Sequence, residues 1–297
     1  MDKEKTAILR LQEASQMSLA FYEFPLVITI SGGKDSSVCL ELAKRAKIPY
    51  EVVHNHTTAD APETVYFIRR DFERIEAQGI KCTLNYPIYK GKRTSMWDLI
   101  PQKLIPPTRM VRYCCDVLKE GGGKGRFIVT GVRWAESVKR ANNRGVLEIL
   151  HRDKEKRIIL NNDNDERRRL FETCALKGKR VCNPIIDWTD ADIWDYIQSE
   201  HIEINSLYQE GFRRVGCIGC PMAGTKSRQL EFVRYPKYKD MYIRAFDKMM
   251  AERIRRNRTQ GTWRMGTTGR DIYHWWMEDG VYPGQMEFPD FGENLEV

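Results

Sequence analysis

Two groups of residues in this sequence have types and spacings suited to chemistry. The first is Ser31-Gly32-Gly33-Lys34-Asp35-Ser36-Ser37. Adjacent glycines let backbone N–H groups turn inward and approach an anion closely. The hydroxyls of Ser31, Ser36 and Ser37 add donors, and Lys34 adds a full positive charge. Such a loop suits a pyrophosphate group. Asp35 would repel a bare anion, so it points to a Mg²⁺ ion carried with the phosphates. Neither the Walker spacing nor the dinucleotide Gly-x-Gly-x-x-Gly pattern is present. The second group is made of cysteines. Cys114 and Cys115 are adjacent, and Cys217-Ile218-Gly219-Cys220 is a C-x-x-C turn beside Gly216 and Pro221. That turn places two thiolates about one metal or cluster. Adjacent cysteines rarely bond to each other because the ring is strained. The four thiolates suit Zn²⁺ or a four-iron, four-sulfur cluster, and the spacing alone does not choose. Cys39, Cys82 and Cys182 read as core. Cys174 stays open, and the basic neighbours Lys177, Lys179 and Arg180 favour a lowered thiol pKa at 174 and 182.

The elements that must position these groups alternate. Leu26-Val27-Ile28-Thr29-Ile30 reads as a buried strand and residues 37–47 as a helix, with the glycine loop between them. The helix N-terminus then adds unpaired N–H groups and partial positive charge at the loop. Residues 50–56 and 81–84 read as further strands. Between them Asp60 and Glu63 have capping-box spacing, Val65, Ile68, Phe72 and Ile75 follow at helical spacing, and Gly79 ends the helix. Phe127-Ile128-Val129-Thr130-Gly131 is another strand ending in glycine. Alternation of this kind predicts an α/β fold with a doubly wound parallel sheet, and ligands bind beyond the carboxyl ends of such strands. Gly32 and Gly131 are both placed there. Residues 101–126 read as irregular and residues 144–168 as a hairpin or insertion. Thr189 with Asp192 caps a helix whose apolar face is Ile193, Trp194 and Ile197.

Composition bounds the class. The chain has 297 residues, 41% hydrophobic and 30% charged, with 7 Trp, 13 Tyr and 11 Phe. Aromatic anchors in that number exclude a disordered chain, and no apolar run is long enough to span a bilayer. Eight Cys are too few for a secreted disulfide scaffold, and the first residues lack a signal-peptide profile. A cytoplasmic protein is expected. The length allows two domains: residues 1–200, the nucleotide-binding α/β domain, and residues 201–297, a basic, aromatic segment carrying the C-x-x-C. The net charge of +8 is uneven. Residues 206–240 hold seven Lys/Arg against three Asp/Glu, and residues 241–270 hold eight against two. Such an excess attracts polyanions, nucleic acid among them. Trp263, Tyr273, Trp275, Trp276 and Tyr282 lie in the same segment. They read either as base-stacking rings or as a small core, the core being favoured for the adjacent pair Trp275 and Trp276.

Five motifs occur in one order: Ser31 to Ser36; Cys114-Cys115 followed by Lys119; Gly131-Val132-Arg133 with Glu136-Ser137 and Arg140; Asn183-Pro184-Ile185-Ile186-Asp187-Trp188 with Asp192-Ile193-Trp194; and Leu207-Tyr208-Gln209-Glu210-Gly211-Phe212 leading into the C-x-x-C. Over roughly residues 20–225 the chain resembles the phosphoadenosine phosphosulfate (PAPS) reductase family. That family is a branch of the PP-loop, adenine nucleotide α-hydrolase-like fold. The resemblance implies an adenine nucleotide, ATP or adenylated sulfate, held by Ser31, Gly32, Gly33, Lys34, Asp35, Ser36, Ser37, Gly131, Arg133 and Arg140. Lys34, Asp35 and Arg133 take the catalytic roles. It also implies a 4Fe-4S cluster, in preference to zinc, on Cys114, Cys115, Cys217 and Cys220, as in assimilatory adenylylsulfate reductases. Two departures count against the classical reductase. The last cysteine is Cys220, which leaves no nucleophile near the C-terminus, and the loop has the full form resembling members that hydrolyse ATP. The expected activity is therefore ATP pyrophosphatase-type adenylation of an acceptor, DNA or RNA included, for sulfur transfer. A cysteine desulfurase is an expected class of sulfur donor. The alternatives are a sulfonucleotide reductase using thioredoxin or glutathione, and a non-catalytic, zinc-containing nucleic-acid-binding module. The oligomeric state is not read from the sequence.

Overall fold

A computed structural model of the chain describes residues 2–120, 123, 125–150, 157–163, 171, 179–259 and 263–278. Cys174, Tyr282, Gly121, Gly122 and much of the 144–168 segment lie outside the described residues. The chain divides into two compact units. The first comprises residues 1–95 and 115–217, and the second residues 96–114 and 218–297.

In the first unit the helix α1 (Lys3–Tyr22) leads into β1 (Leu26–Thr29), the loop and α2 (Lys34–Arg45). Next come β2 (Tyr50–Asn55), α3 (Pro62–Glu76), β3 (Cys82–Asn85) and the short strands β4 (Ile88–Tyr89) and β5 (Lys92–Arg93). α4 (Met96–Lys103) belongs to the second unit. The first unit resumes with β6 (Phe127–Val129), α5 (Val138–Asn143), β7 (Leu147–Leu150), β8 (Ile158–Leu160), β9 (Lys179–Cys182) and α6 (Asp190–Ser199).

Seven strands form one sheet in the order β3-β2-β1-β6-β9-β7-β8. The first five run parallel, while β7 pairs antiparallel with both β9 and β8. The sheet is thus mostly parallel and flanked by helices. Its one antiparallel edge comes from the 144–168 segment, which turns back on itself and so cannot continue the parallel winding. The chain steps outward from β1 to β2 and β3, then returns to lay β6 on the other side of β1. The switch point falls between β1 and β6, and in sheets of this kind ligands bind at that point, beyond the carboxyl ends of the strands. Alternation along β1 sends Leu26 and Ile28 into the main core with Val38 and Leu42 of α2, and Val27 to the opposite face beside Ile128 and Val181.

Two local expectations are corrected. No capping box forms at Asp60 and Glu63: α3 begins with Pro62 at its first position after Ala61. A proline there is pre-set for the helix and has no N–H to satisfy. Asp60 instead accepts from the Thr57 amide at 2.8 Å and bridges Cys217 in an isolated antiparallel pair. Thr189 and Asp192 do cap α6, but Trp194 is 39% exposed and Tyr196 takes the buried place beside Ile193 and Ile197. Trp194 packs edge-on against Tyr208, ring centroids 5.5 Å apart.

The second unit is helical, with α4, α7 (Thr225–Arg234), α8 (Pro236–Arg255) and α9 (Gly269–Met277). Trp276 lies at its centre, 2% exposed, 4.6 Å from the Tyr242 ring, with the Arg228 guanidinium 4.1 Å above it. Trp263 and Tyr273 are buried too, and Trp275 is half-buried against Trp263. These rings build a core, so the base-stacking expectation gives way to packing. Gly219 of the C-x-x-C has φ +71, and a Cβ there would lie 2.5 Å from the Phe232 ring. The motif therefore needs glycine at that position.

Candidate nucleotide site

The loop is built by local sequence. Gly33 caps α2 with extended backbone, and its carbonyl accepts the amides of Ser36 and Ser37 at 3.1 and 3.2 Å. Ser36 donates its hydroxyl to the same carbonyl at 2.7 Å and accepts the Ser31 amide at 3.2 Å, so its side chain braces the loop. Gly32 has φ +75, and a Cβ there would lie 2.7 Å from Thr64 Cγ2. Among the described residues, the amides of Gly32 and Gly33 have no protein acceptor. The loop thus offers donors at a helix N-terminus, as an anion site requires.

Charge gathers at the first turn of α2. Lys34, 8% exposed, places Nζ 3.3 Å from Asp35 and 3.0 Å from Asp190 Oδ1. Arg133, 2% exposed, donates Nε to Asp35 at 2.7 Å, Nη2 to Asp190 at 2.7 Å and Nη1 to the Trp188 carbonyl at 3.2 Å. Two buried cations therefore share two carboxylates. The Asp190 side chain is 72% exposed, so this cluster opens to solvent through it. Hydrogen bonding from Lys34, reinforced by Arg133, holds the Asp190 carboxyl below its usual range. Arg140 is half-buried and paired with Glu136. Burial and then the like charges of Arg144 and Arg214 pull its pKa down. Gly131 belongs here for a steric reason. A Cβ on it would lie 2.9 Å from the carbonyl carbon and oxygen of Asp35, so only glycine lets the end of β6 approach α2 this closely.

Structure thus brings Lys34, Asp35, Gly131 and Arg133 together, with Ser31, Gly32, Gly33, Ser36 and Ser37 in the loop beside them. It adds two residues that sequence reasoning did not assign. Asp190 is the first residue of α6, one past the cap Thr189, and only the fold returns it to Lys34. Tyr208 accepts the Lys34 amide on its hydroxyl at 3.0 Å, and burial raises its pKa. The one sequence signal for Tyr208 was its place in the Leu207-Tyr208 motif.

The four motif cysteines divide between the two units. Cys115 and Cys217 belong to the first unit, and Cys114 and Cys220 to the second. Among the described residues, no group of three or more His, Cys, Asp or Glu is placed to hold a metal ion. Cys217 is buried, with Sγ 3.4 Å from Thr57 Oγ1. Cys39 and Cys182 are buried core thiols. Burial pushes Cys182 up, against the lowering expected from its basic neighbours in sequence.

A glycine loop at the switch point of a mostly parallel sheet flanked by helices defines an α/β protein of nucleotide-binding type. The phosphoadenosine phosphosulfate reductase domain matches residues 25–223, more than half of the chain, and the chain belongs to that family. It is 29% identical over 260 residues to uncharacterized protein MJ0973 of Methanocaldococcus jannaschii, covering 83% of this chain and 53% of that one. The chain thus spans about half the length of that relative. It is 30% identical to sulfate adenylyltransferase subunit 2 of Aeromonas hydrophila subsp. hydrophila over 232 residues, 72% of each chain. Phosphoadenylyl-sulfate (PAPS) reductase from Candida auris, solved as a phosphate complex, aligns with TM-score 0.43 and 18% identity over 69% of this chain and 87% of that one. No described helix is long and apolar enough to cross a membrane.

Proposed function

We propose that the chain is an ATP-dependent adenylating enzyme of sulfur metabolism, working in the cytoplasm. The amides of Gly32 and Gly33, with Ser31 and Ser37, receive the β and γ phosphates. An acceptor oxygen attacks the α-phosphorus, the bond to the bridging oxygen breaks, and pyrophosphate leaves with its electron pair. The acceptor then carries AMP, which a sulfur nucleophile displaces. Lys34 stabilises charge on the departing pyrophosphate, and Arg133 and Arg140 meet the α-phosphate or an acidic acceptor. Mg²⁺ carried with the phosphates fits Asp35 and Asp190, whose carboxylates both lie within 3.3 Å of Lys34 Nζ, and it neutralises phosphate charge when bound.

One observation carries this reading. Among the described residues, the amides of Gly32 and Gly33 have no protein acceptor, two buried cations sit beside them at the first turn of α2, and the cations' shared carboxylate Asp190 faces solvent. The name sulfate adenylyltransferase subunit 2, borne by a relative, supports adenylation. The basic excess of residues 206–270 supports a nucleic acid as acceptor, and a cysteine desulfurase suits the donor. The 4Fe-4S cluster on Cys114, Cys115, Cys217 and Cys220 rests on the resemblance to assimilatory adenylylsulfate reductases, and no step runs through it. The family's name supports a rival, a reductase of adenylated sulfate, which would release sulfite. The test is pyrophosphate release from ATP. Lys34→Ala and Asp35→Ala are each expected to lower it at least about 100-fold. Full turnover in either variant defeats the loop assignment.

A further inference from the structure

The hairpin of β4 and β5 is chemically unlike the rest of the first unit. Its sequence, Tyr86-Pro87-Ile88-Tyr89-Lys90-Gly91-Lys92-Arg93, carries three cations and no acid. Ile88 pairs with Arg93 and Tyr89 with Lys92 across a two-residue turn. Lys90 has φ +52 and Gly91 φ +76, the type I′ geometry whose twist matches the flanking strands. The Thr94 amide extends the ladder to the Pro87 carbonyl at 3.0 Å. The turn therefore fixes the register of the arm. Elsewhere in this unit Arg45, Arg70, Arg74 and Arg140 all pair with carboxylates. Among the described residues, Lys90, Lys92 and Arg93 have no carboxylate partner.

Three planar groups stack at the base of this arm. The His56 and Tyr86 rings lie 5.6 Å apart at 29°, and the Arg93 guanidinium carbon sits 3.6 Å from the centre of the Tyr86 ring. Arg93 is exposed, so its side chain is open to solvent. The stack begins at the carboxyl end of β2, the strand next to β1. Two residues before His56, His54 bonds the carbonyl of Ile30, which opens the phosphate loop, at 2.9 Å. The ladder thus grows from the sheet edge that carries the nucleotide site.

We propose that this hairpin grips single-stranded nucleic acid. A base stacks on the outer face of the Arg93 guanidinium, continuing the His56–Tyr86–Arg93 ladder, and Lys90 and Lys92 meet the neighbouring phosphates. The inference rests on the reading of a nucleic acid as acceptor and names the surface that holds it. An acidic peptide would match the charge but make no use of the stack, whereas a base uses both.

The test is fluorescence anisotropy of labelled oligouridylate and oligothymidylate with the full chain. Arg93→Ala should weaken binding about tenfold, the scale of one lost base stack. Arg93→Lys keeps the charge and loses the plane, so it should recover little of that loss. The double variant Lys90→Glu, Lys92→Glu should flatten the slope of log affinity against log salt by about 1.4, two phosphate contacts on a single strand. Arg93→Lys binding like the unaltered protein overturns the stack. Polyglutamate displacing the oligonucleotide at matched charge overturns the partner class. Unaltered binding in every hairpin variant overturns the hairpin while leaving the acceptor reading intact, and failure of the unaltered protein to bind either oligonucleotide overturns both.

Discussion

Gly131 shows how a single missing side chain sets the candidate site. A Cβ there would meet backbone atoms of Asp35, and backbone in the first turn of a capped helix cannot rotate aside as a side-chain end can. Gly131→Ala must push α2 away from β6 and draw Asp35 off Arg133. The expected cost is about 1–3 kcal/mol of stability by urea denaturation, the range for overpacking. Pyrophosphate release should fall further than the loss of folded protein explains. Stability and turnover both unchanged would show that the approach is looser than the geometry states. Arg133 makes a related point. Its two carboxylate bonds and its bond to Trp188 hold the guanidinium in place, so its charge is positioned before any ligand arrives.

At the scale of elements, β2 couples the sheet to the loop through His54. This side chain is 4% exposed and hydrogen-bonded to the Ile30 carbonyl, and burial lowers its pKa. Above the unfolded value of about 6.5 the imidazole is neutral in both states, and its contribution to stability is complete. As pH falls below that value the unfolded chain takes a proton that the folded chain resists, so stability drops until the lower folded pKa is passed. His54→Gln keeps a donor for Ile30 and cannot titrate. It should lessen the fall in urea midpoint between neutral and mildly acidic pH, and identical pH profiles would remove His54 from the acid response. The same strand and its neighbour β3 carry the basic hairpin at their carboxyl ends, so the element that braces the loop also sets the origin of the arm.

Across the whole molecule, the cysteine pattern and the nucleotide loop make separate claims. Protein purified without oxygen should contain iron and acid-labile sulfide at near four of each per chain if the four thiolates hold a 4Fe-4S cluster, with Cys217→Ser and Cys220→Ser losing both. Zinc by elemental analysis in place of iron would end that reading. Much of the architecture was legible in the sequence. The loop, the helix after it, the strand ending at Gly131 and the Thr189 cap are local patterns, in which residues a few positions apart satisfy one another's backbone groups or share one face. The approach of Gly131 to the start of α2 also followed, because parallel alternation sends the loops after β1 and β6 to one edge. Other features were not legible. Asp190 lies 156 residues from Lys34, and Tyr208 174 residues from the amide it accepts. The antiparallel edge and the burial of Trp276 are likewise products of distant segments meeting. Spacing along a chain records local hydrogen bonding and periodicity. Which carboxylate neutralises a buried cation, and which ring or guanidinium stays in water, depends on surfaces that exist only once the chain has folded.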